Sequence, residues 1–383
     1  MARILLFGGF VQSLSAAASL KAAGHEVVIV AQNDPVAKRC RSKEKYIEIK
    51  IEAPEEVVLK QLIHIVQSEK IDVAIPLEDA YAVILSKYRR QIADSTGVLC
   101  AVPDWHPFSL ASNKQALLAR CKEIGVGHPK TEIIHDNYYE LASSVGFPSL
   151  IKPDHSEGSK GILLVNNVEE LMTAAPEIIA QYGTCSLQEY VSNDHYYNLM
   201  VYRTAAGEYS NYVVLKILRY YPIKGGSSCI AVTVENIQML EMCKRVLDDL
   251  DWVGMADFDI LEKGNGDYKI IEINPRVPAS LRGAEISGVN FPEIIVSDVL
   301  EGKLPKYDYK TGKYLRFLGL DLAWFVASPQ RLKCKPSWFK FFGKNIYYED
   351  GGWRDFPAMM AYIWSGIKKQ LSPSFRKSKQ GMN

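Results

Sequence analysis

From Arg3 onward the first hundred residues alternate short apolar runs with helix-like segments, and this alternation most restricts what the chain can fold into. "RILLFGG" reads as a buried strand ending in a glycine turn, "SLSAAASLKAAG" as a helix stopped by Gly24, and "HEVVIVA" as the next strand. A helix near 55–69, a strand "IDVAIPL" at 71–77, a helix near 79–93 and a strand "VLCAVP" at 98–103 continue the series. Strands separated by helices predict a parallel sheet covered on both faces. The Gly8-Gly9 turn invites a dinucleotide reading, but "GGFVQS" lacks the GxGxxG spacing and no acid closes a clear second strand to hold a ribose. A tight turn that packs a helix onto the sheet is the favoured reading.

The chain has 383 residues, too many for one ordinary core, so two or three domains are expected. A net charge of +1 gives no global argument for nucleic acid, and any anionic partner must be met locally. The seven cysteines are scattered without CxxC spacing, which suits reduced thiols in a cytoplasm better than a disulfide framework or a zinc site. The first apolar run meets Gly8-Gly9 too soon for a signal peptide, and no run of about 18 apolar residues predicts a membrane span.

A linker "PDWHPF" (103–108) leads to "SLASNKQALLARCKEIGVGHP", read as a helix with a polar start that ends by Gly125 and Pro129. "FPSLIKPDHSEGSKGILLV" gives strand, glycine loop and strand; "EELMTAAPEIIAQYG" is a helix and "CSLQEYV" another strand. From 195 to 234 the pattern is mostly strands, interrupted at "YPIKGGSS". A helix near 236–250 precedes "GMADFDILE", the turn "KGNGD" and "YKIIEINPRVPASLRG", which together predict an antiparallel hairpin.

That last strand is unusual. By alternation Ile271, Ile273 and Pro275 share one face, while Glu272, Asn274 and Arg276 share the other. Asp257 and Asp259 likewise share a face, and pairing the two strands brings Asp257 near Glu272 and Asn274. Two carboxylates and an amide oxygen form a hard-oxygen cluster suited to magnesium; a solvated sheet face, or an acid neutralised by Arg276, is the plainer alternative. "KPDHSEGSKG", Lys152 to Gly161, offers small residues whose N–H groups can approach phosphate oxygens, with Lys160 as a point charge. It is not a Walker A loop, and a surface hairpin loop is the alternative. Lys114 near a helix start and Lys152 late in a strand are weak signals taken singly.

Taken in order, the lysine on a helix, the lysine on a strand, the glycine loop, "QEYV" and the acidic hairpin with "EINPR" resemble the ATP-grasp superfamily, of the carboxylate–amine ligase type. The likeness covers roughly residues 1 to 305. Members include carbamoyl phosphate synthetase, biotin carboxylase and D-alanine ligase. The resemblance implies an α/β and α+β multidomain fold, with an N-terminal parallel α/β domain at 1–107. A small lobe with the glycine loop would occupy 108–187, a large lobe with the metal site 188–310, and a basic aromatic extension 311–383.

It also implies ATP and Mg2+ (or Mn2+). Lys114 and Lys152 resemble the lysines that touch the nucleotide phosphates, and Ser156 to Gly161, including Gly158, Ser159 and Lys160, the loop that closes over the triphosphate. Glu189 and Val191 match the positions that receive the adenine amino group. Asp257, Glu272 and Asn274 match the metal ligands, and Arg276 the cation beside the transferred phosphate. The ribose acid is displaced here: in "SNDHYYN" His195 falls where it is expected and Asp194 lies one place early, so Asp194 is the candidate and His195 reads as a surface histidine.

The chemistry implied is ATP-dependent activation of a small carboxylate as an acylphosphate, followed by attack of an amine to form a C–N bond. A small-molecule kinase, or a non-catalytic nucleotide-binding subunit, is the rival. For substrates, "LRYYPIKGGSS" offers Arg219 and Lys224, and "RVPASLRGAEISG" offers Ser280 and Arg282, arginines being fitted to bidentate carboxylate binding. The partners expected are small molecules and no nucleic acid, with a homodimer left open. The tail beyond 311 is aromatic and basic, with five Lys or Arg and no acid from Lys368 onward. A helix packed on the lobes is the favoured reading. An interfacial helix on an anionic membrane, each cation contributing about 1 kcal/mol, is the alternative, which leaves a cytoplasmic protein with peripheral membrane contact open.

Overall fold

The computed structural model describes residues 1–153, 161–192, 195–223, 226–349 and 355–371. The expected alternation builds a five-stranded sheet from β1 (Arg3–Phe7), β2 (Glu26–Ala31), β3 (Lys45–Glu48), β4 (Val73–Pro76) and β5 (Leu99–Cys100), in the order β3-β2-β1-β4-β5. Every pairing in it is parallel. α1 (Phe10–Ala22) covers one face, and α2 (Glu55–Glu69), α3 (Asp79–Lys87) and α4 (Arg89–Thr96) the other. The helix expected at 79–93 is thus two, broken at Tyr88.

The Gly8-Gly9 turn is a packing turn. The N–H of Gly9 donates to Glu78 Oε1 at 2.6 Å and that of Phe10 to Asp34 Oδ2 at 2.6 Å. Two of the protein's own carboxylates thus stand at the helix start, where a dinucleotide phosphate would bind. A Cβ on Gly9 would lie 2.4 Å from Asp34 Oδ2, so any side chain there would have to displace that carboxylate.

The single helix expected after the linker is also two, and the linker itself is largely helical. α5 (Trp105–Ser112) ends at Asn113, whose side chain accepts the N–H of Ala116 at 3.0 Å and starts α6 (Lys114–Glu123). This cap, a feature that contributes about 1 kcal/mol, sets Lys114 at the first helical position. β6 (Thr131–Ile133), β7 (Ser149–Pro153), β8 (Leu163–Val165) and β9 (Cys185–Glu189) form a small antiparallel sheet, order β6-β9-β7-β8, packed on α7 (Tyr138–Val145) and α8 (Val168–Tyr182).

The largest sheet begins with β10 (Tyr196–Arg203), β11 (Tyr209–Tyr221) and β12 (Ser227–Val234). α9 (Ile237–Asp249) buries Met239, Leu240, Cys243, Val246 and Leu247, a helical stripe against one face of this sheet. Each such side chain contributes about 1.5–3 kcal/mol by burial. β13 (Gly254–Glu262) and β14 (Tyr268–Asn274) form the expected antiparallel hairpin. α10 (Leu281–Ile286) and α11 (Phe291–Glu301) pack with α1 between this sheet and the parallel one.

The tail joins the same sheet. β15 (Tyr314–Arg316) pairs with β12, α12 (Leu318–Ala327) lies on β11 and β12, and β16 (Ile346–Tyr348) pairs with β15. The seven-stranded order is β14-β13-β10-β11-β12-β15-β16. α13 (Phe356–Leu371) returns to the parallel sheet, burying Ala358 and Tyr362, with the Tyr362 ring 5.7 Å from that of Phe10. The sequence reading places this helix on the lobes; its ring contact is instead with Phe10 of the N-terminal sheet domain, and the basic end beyond 371 lies outside the described residues. All seven cysteines are free thiols, and no described helix is long and apolar enough to cross a membrane.

Candidate functional site

The β13–β14 register assembles the acidic row. Asp257 lies opposite Asn274 and Asp259 opposite Glu272, while Phe258 turns the other way into the core. One expectation needs correction. The ladder shifts between Asp259 and Ile260, leaving Ile271 as an extra residue, so Ile270 and Ile273 face the core and Ile271 does not. This bulge breaks the strict alternation at Ile271 and leaves it intact from Glu272 to Arg276.

Within the row, Asn274 Nδ2 lies 3.4 Å from Asp257 Oδ2, and Asn274 Oδ1 accepts from Arg276 Nη2 at 3.3 Å. Arg276 Nε also donates to Asp79 Oδ1 at 2.9 Å, tying the row to α3. Asp257 is 3% exposed, and its Oδ1 is buried with no hydrogen-bond partner among the described residues. Burial pushes its carboxyl up to about 7, against the pull of Arg276. An orphaned, desolvated carboxylate oxygen beside a second carboxylate and an amide oxygen fits a hard divalent cation that keeps waters and phosphate oxygens in its shell. Among the described residues no group of three or more His, Cys, Asp or Glu could hold a metal by itself, so such an ion would rely on those outside ligands.

Asp259 lies on this face as well, beside Glu272. Burial and the neighbouring Glu272 push its carboxyl well above the usual range; Asn198 and Tyr196 hydrogen-bond to it from β10. Burial also opposes ionisation of Glu272. Lys114, the hydrogen bond from Asp259 and Lys152 outweigh that, holding Glu272 down to about 2. Two carboxylates this close resist sharing full charge, and the two lysines favour the charged form on the Glu272 side.

Two lysines face the row from other elements. Lys114 Nζ lies 3.0 Å from Glu272 Oε2. Lys152, on β7, donates to Gln188 Oε1 of neighbouring β9 at 2.5 Å, and Gln188 Nε2 donates to Thr131 Oγ1 at 3.0 Å. Burial, with Lys114 nearby, lowers the Lys152 ammonium to about 8. Ser156, Gly158, Ser159 and Lys160 lie outside the described residues, as do Asp194 and Lys224. Gly161 has φ +73°, and its Cβ would lie 2.9 Å from Pro153 Cγ, so glycine is required there.

Glu189 closes β9. Its carboxylate accepts from the Lys130 N–H at 3.2 Å and pairs with Lys263 at the hairpin turn, joining the small sheet to the large one. Val191 is buried two residues on, and His195 is exposed. Ser280 and Arg282 flank the start of α10, with Arg282 Nη1 2.7 Å from Glu285 Oε2.

Arg219 corrects a second expectation. It is 3% exposed, and its guanidinium is committed to Asp321 at 2.8 and 3.1 Å and to the carbonyl of Pro336 at 2.8 Å. Asp321 also takes Arg316 Nε at 2.6 Å. The arginine ties the tail to the sheet instead of facing a substrate, because α12 supplies a buried carboxylate that the loop sequence does not announce. Two hollows, of about 500 and 610 Å³, lie along the Asn33–Arg39 loop and α13 and share no residue with the acidic row.

A parallel βα unit, a small antiparallel sheet bearing a lysine strand, and a large sheet ending in the acid–amide–arginine hairpin together have the arrangement of the ATP-grasp fold. Residues 209–316 match the family model described as ATP-grasp in the biosynthetic pathway with Ter operon. D-aspartate ligase of Enterococcus faecium is 23% identical over 242 residues, 57% of this chain and 56% of that one. The carbamoyl phosphate synthase large chain of Thermotoga petrophila is 23% identical over 331 residues, 78% of this chain and 30% of that one. The chain therefore spans about half the length, or less, of these curated relatives. N5-carboxyaminoimidazole synthetase from Staphylococcus aureus, solved with ADP, superposes with a TM-score of 0.66 at 17% identity, over 85% of this chain and 84% of that one. This last likeness is one of fold.

Proposed function

We propose that the protein is an ATP-dependent ligase that activates a small carboxylate, an amino acid among the candidates, and joins it to an amine. The observation that carries the reading is the convergence of Asp257, Glu272 and Asn274 with Arg276 on one sheet face, with Lys114 3.0 Å from Glu272. Lys114 and Lys152 hold phosphate oxygens of ATP. Asp257, Glu272 and Asn274 offer oxygens to a divalent ion, and magnesium, when bound, supplies positive charge to the triphosphate. Arg276 stands beside the phosphoryl group in transit, where a fixed cation favours the developing charge.

The substrate carboxylate forms a bond to the γ-phosphorus as the bond to ADP breaks. The amine then bonds to the acyl carbon, phosphate leaves with the electron pair of the acyl–oxygen bond, and the amine's proton passes to water. Positioning and electrostatics account for the barrier, so no nucleophile–base pair is needed. Similarity to a D-aspartate ligase supports an amino acid on one side of the new bond.

Amino acids screened in pairs for ADP and phosphate release, with mass spectrometry of the products, test the proposal. A condensed product with free phosphate is expected. A stable phosphorylated product would make the protein a kinase, and no ADP release with any pair would remove the catalytic reading.

A further inference from the structure

The stretch from Leu322 to Tyr348 contains no aspartate or glutamate, and Asp321 just before it is fully buried. Arg331, Lys333, Lys335, Lys340 and Lys344 are all exposed along it, and none enters an ion pair among the described residues. Large apolar side chains stand out among these cations: Leu322 is 53% exposed, Val326 71%, Leu332 74%, Phe339 60% and Phe342 87%. In water each of these would be better covered.

These groups are not at the end of a loose loop. Leu322 and Val326 lie four apart on one side of α12. The Phe325 ring is 4.2 Å from Trp338 and 5.8 Å from Phe339, and Trp338 is 4.9 Å from Phe341. Beneath them, Trp338 Nε1 donates to the Asp321 carbonyl at 3.0 Å, Arg316 Nη2 to the Trp338 carbonyl at 2.8 Å, and Lys313 Nζ to Asn345 Oδ1 at 3.1 Å. β16 then fixes the far end to the sheet. The fold therefore holds an apolar and cationic face outward on a rigid base, and a preorganised face loses less entropy when it docks.

We infer that this face, residues 322–344, seats the protein on an anionic lipid surface. Phe339, Phe342 and Leu332 enter the headgroup–acyl boundary, and the five cations meet lipid phosphates. That boundary accepts apolar side chains and cations side by side. A second copy is disfavoured, because a two-fold contact would set like charges against each other. Beside the rings of Phe339 and Phe342, Leu322, Val326 and Leu332 expose aliphatic surface that has no ring face for stacking on bases, which favours lipid over nucleic acid. α13 buries Ala358 and Tyr362 against the parallel sheet, and the basic end that suggested a membrane contact lies mostly outside the described residues. The inference does not rest on the ligase reading.

Sedimentation of the full chain with vesicles of phosphatidylcholine alone, or mixed with phosphatidylglycerol, tests it. Binding is expected only to the mixed vesicles, and it weakens as salt is raised. Phe339→Ser with Phe342→Ser, and separately Lys333→Glu with Lys335→Glu, each lower the partition about tenfold or more, with circular dichroism unchanged because all four side chains are exposed. No binding to mixed vesicles would overturn the inference, as would binding that both double variants leave intact. So would a concentration-dependent dimer, or retention of nucleic acid, that these variants abolish in a protein that ignores vesicles.

Discussion

Lys114, at the first position of α6, holds its Nζ 3.0 Å from Oε2 of Glu272 on β14, so the lysine proposed to meet phosphate and the carboxylate proposed to meet the metal are in direct contact. Lys114 and Lys152 favour the charged form of Glu272 over that of its neighbour Asp259. Replacing Glu272 by glutamine keeps the shape and removes the charge. Glu272→Gln should lower ADP formation roughly 100- to 1,000-fold and leave the melting temperature within about 4 °C. Coupled-enzyme assay and a thermal melt check this; wild-type turnover would remove Glu272 from the site.

Lys152 gives a pH signature. Its ammonium, lowered to about 8 by burial and Lys114, is charged below that value and neutral above it in the free protein. A polyphosphate favours the charged form. ATP affinity should therefore be full below pH 8 and fall as pH rises through it, by about tenfold per unit until the bound-state value is reached. Lys152→Arg should flatten the profile, since guanidinium stays charged. Titration of a non-hydrolysable ATP analogue across this range reads the effect; a flat wild-type profile would detach Lys152 from the phosphates.

Arg219→Ala is expected to act on stability. Removing it strips one partner from fully buried Asp321 and leaves Arg316 as its remaining ion pair. A loss of about 3 kcal/mol is expected in urea unfolding, the low end for breaking a buried ion pair. An unchanged midpoint combined with a raised KM would return Arg219 to substrate binding.

Gly127→Ala should disturb β14 from outside the site. A Cβ there would lie 2.1 Å from the Tyr268 carbonyl oxygen, and the Gly127 carbonyl accepts the Ile270 N–H at 2.9 Å. Both partners are backbone and cannot swing aside. A cost of about 1–3 kcal/mol is expected, with ADP formation reduced as Glu272 shifts; an unaltered urea midpoint would show that this edge gives way freely.

The hairpin was legible because its signals are local. The turn residues 263–267 join the strands, and period-two alternation gathers Asp257 with Asp259 and Glu272 with Asn274 and Arg276. The bulge at Ile271 was not legible, since an extra residue in one strand is defined only against its partner. Asn198 and Tyr196 reach Asp259 through the β10–β13 register, which no neighbouring residue encodes.

By itself the sequence determined the parallel βα unit, the acidic hairpin and the lysines on a helix and a strand, because turn chemistry and apolar period act over a few residues. Tertiary structure alone decided which charges are spent on the fold and which join the acidic row. Arg219 and Arg276 look alike in one dimension, but Asp321 buries the first while Asp79 holds the second beside Asn274. An ionic side chain's role depends on the field and water around it, and those are set by segments far away along the chain.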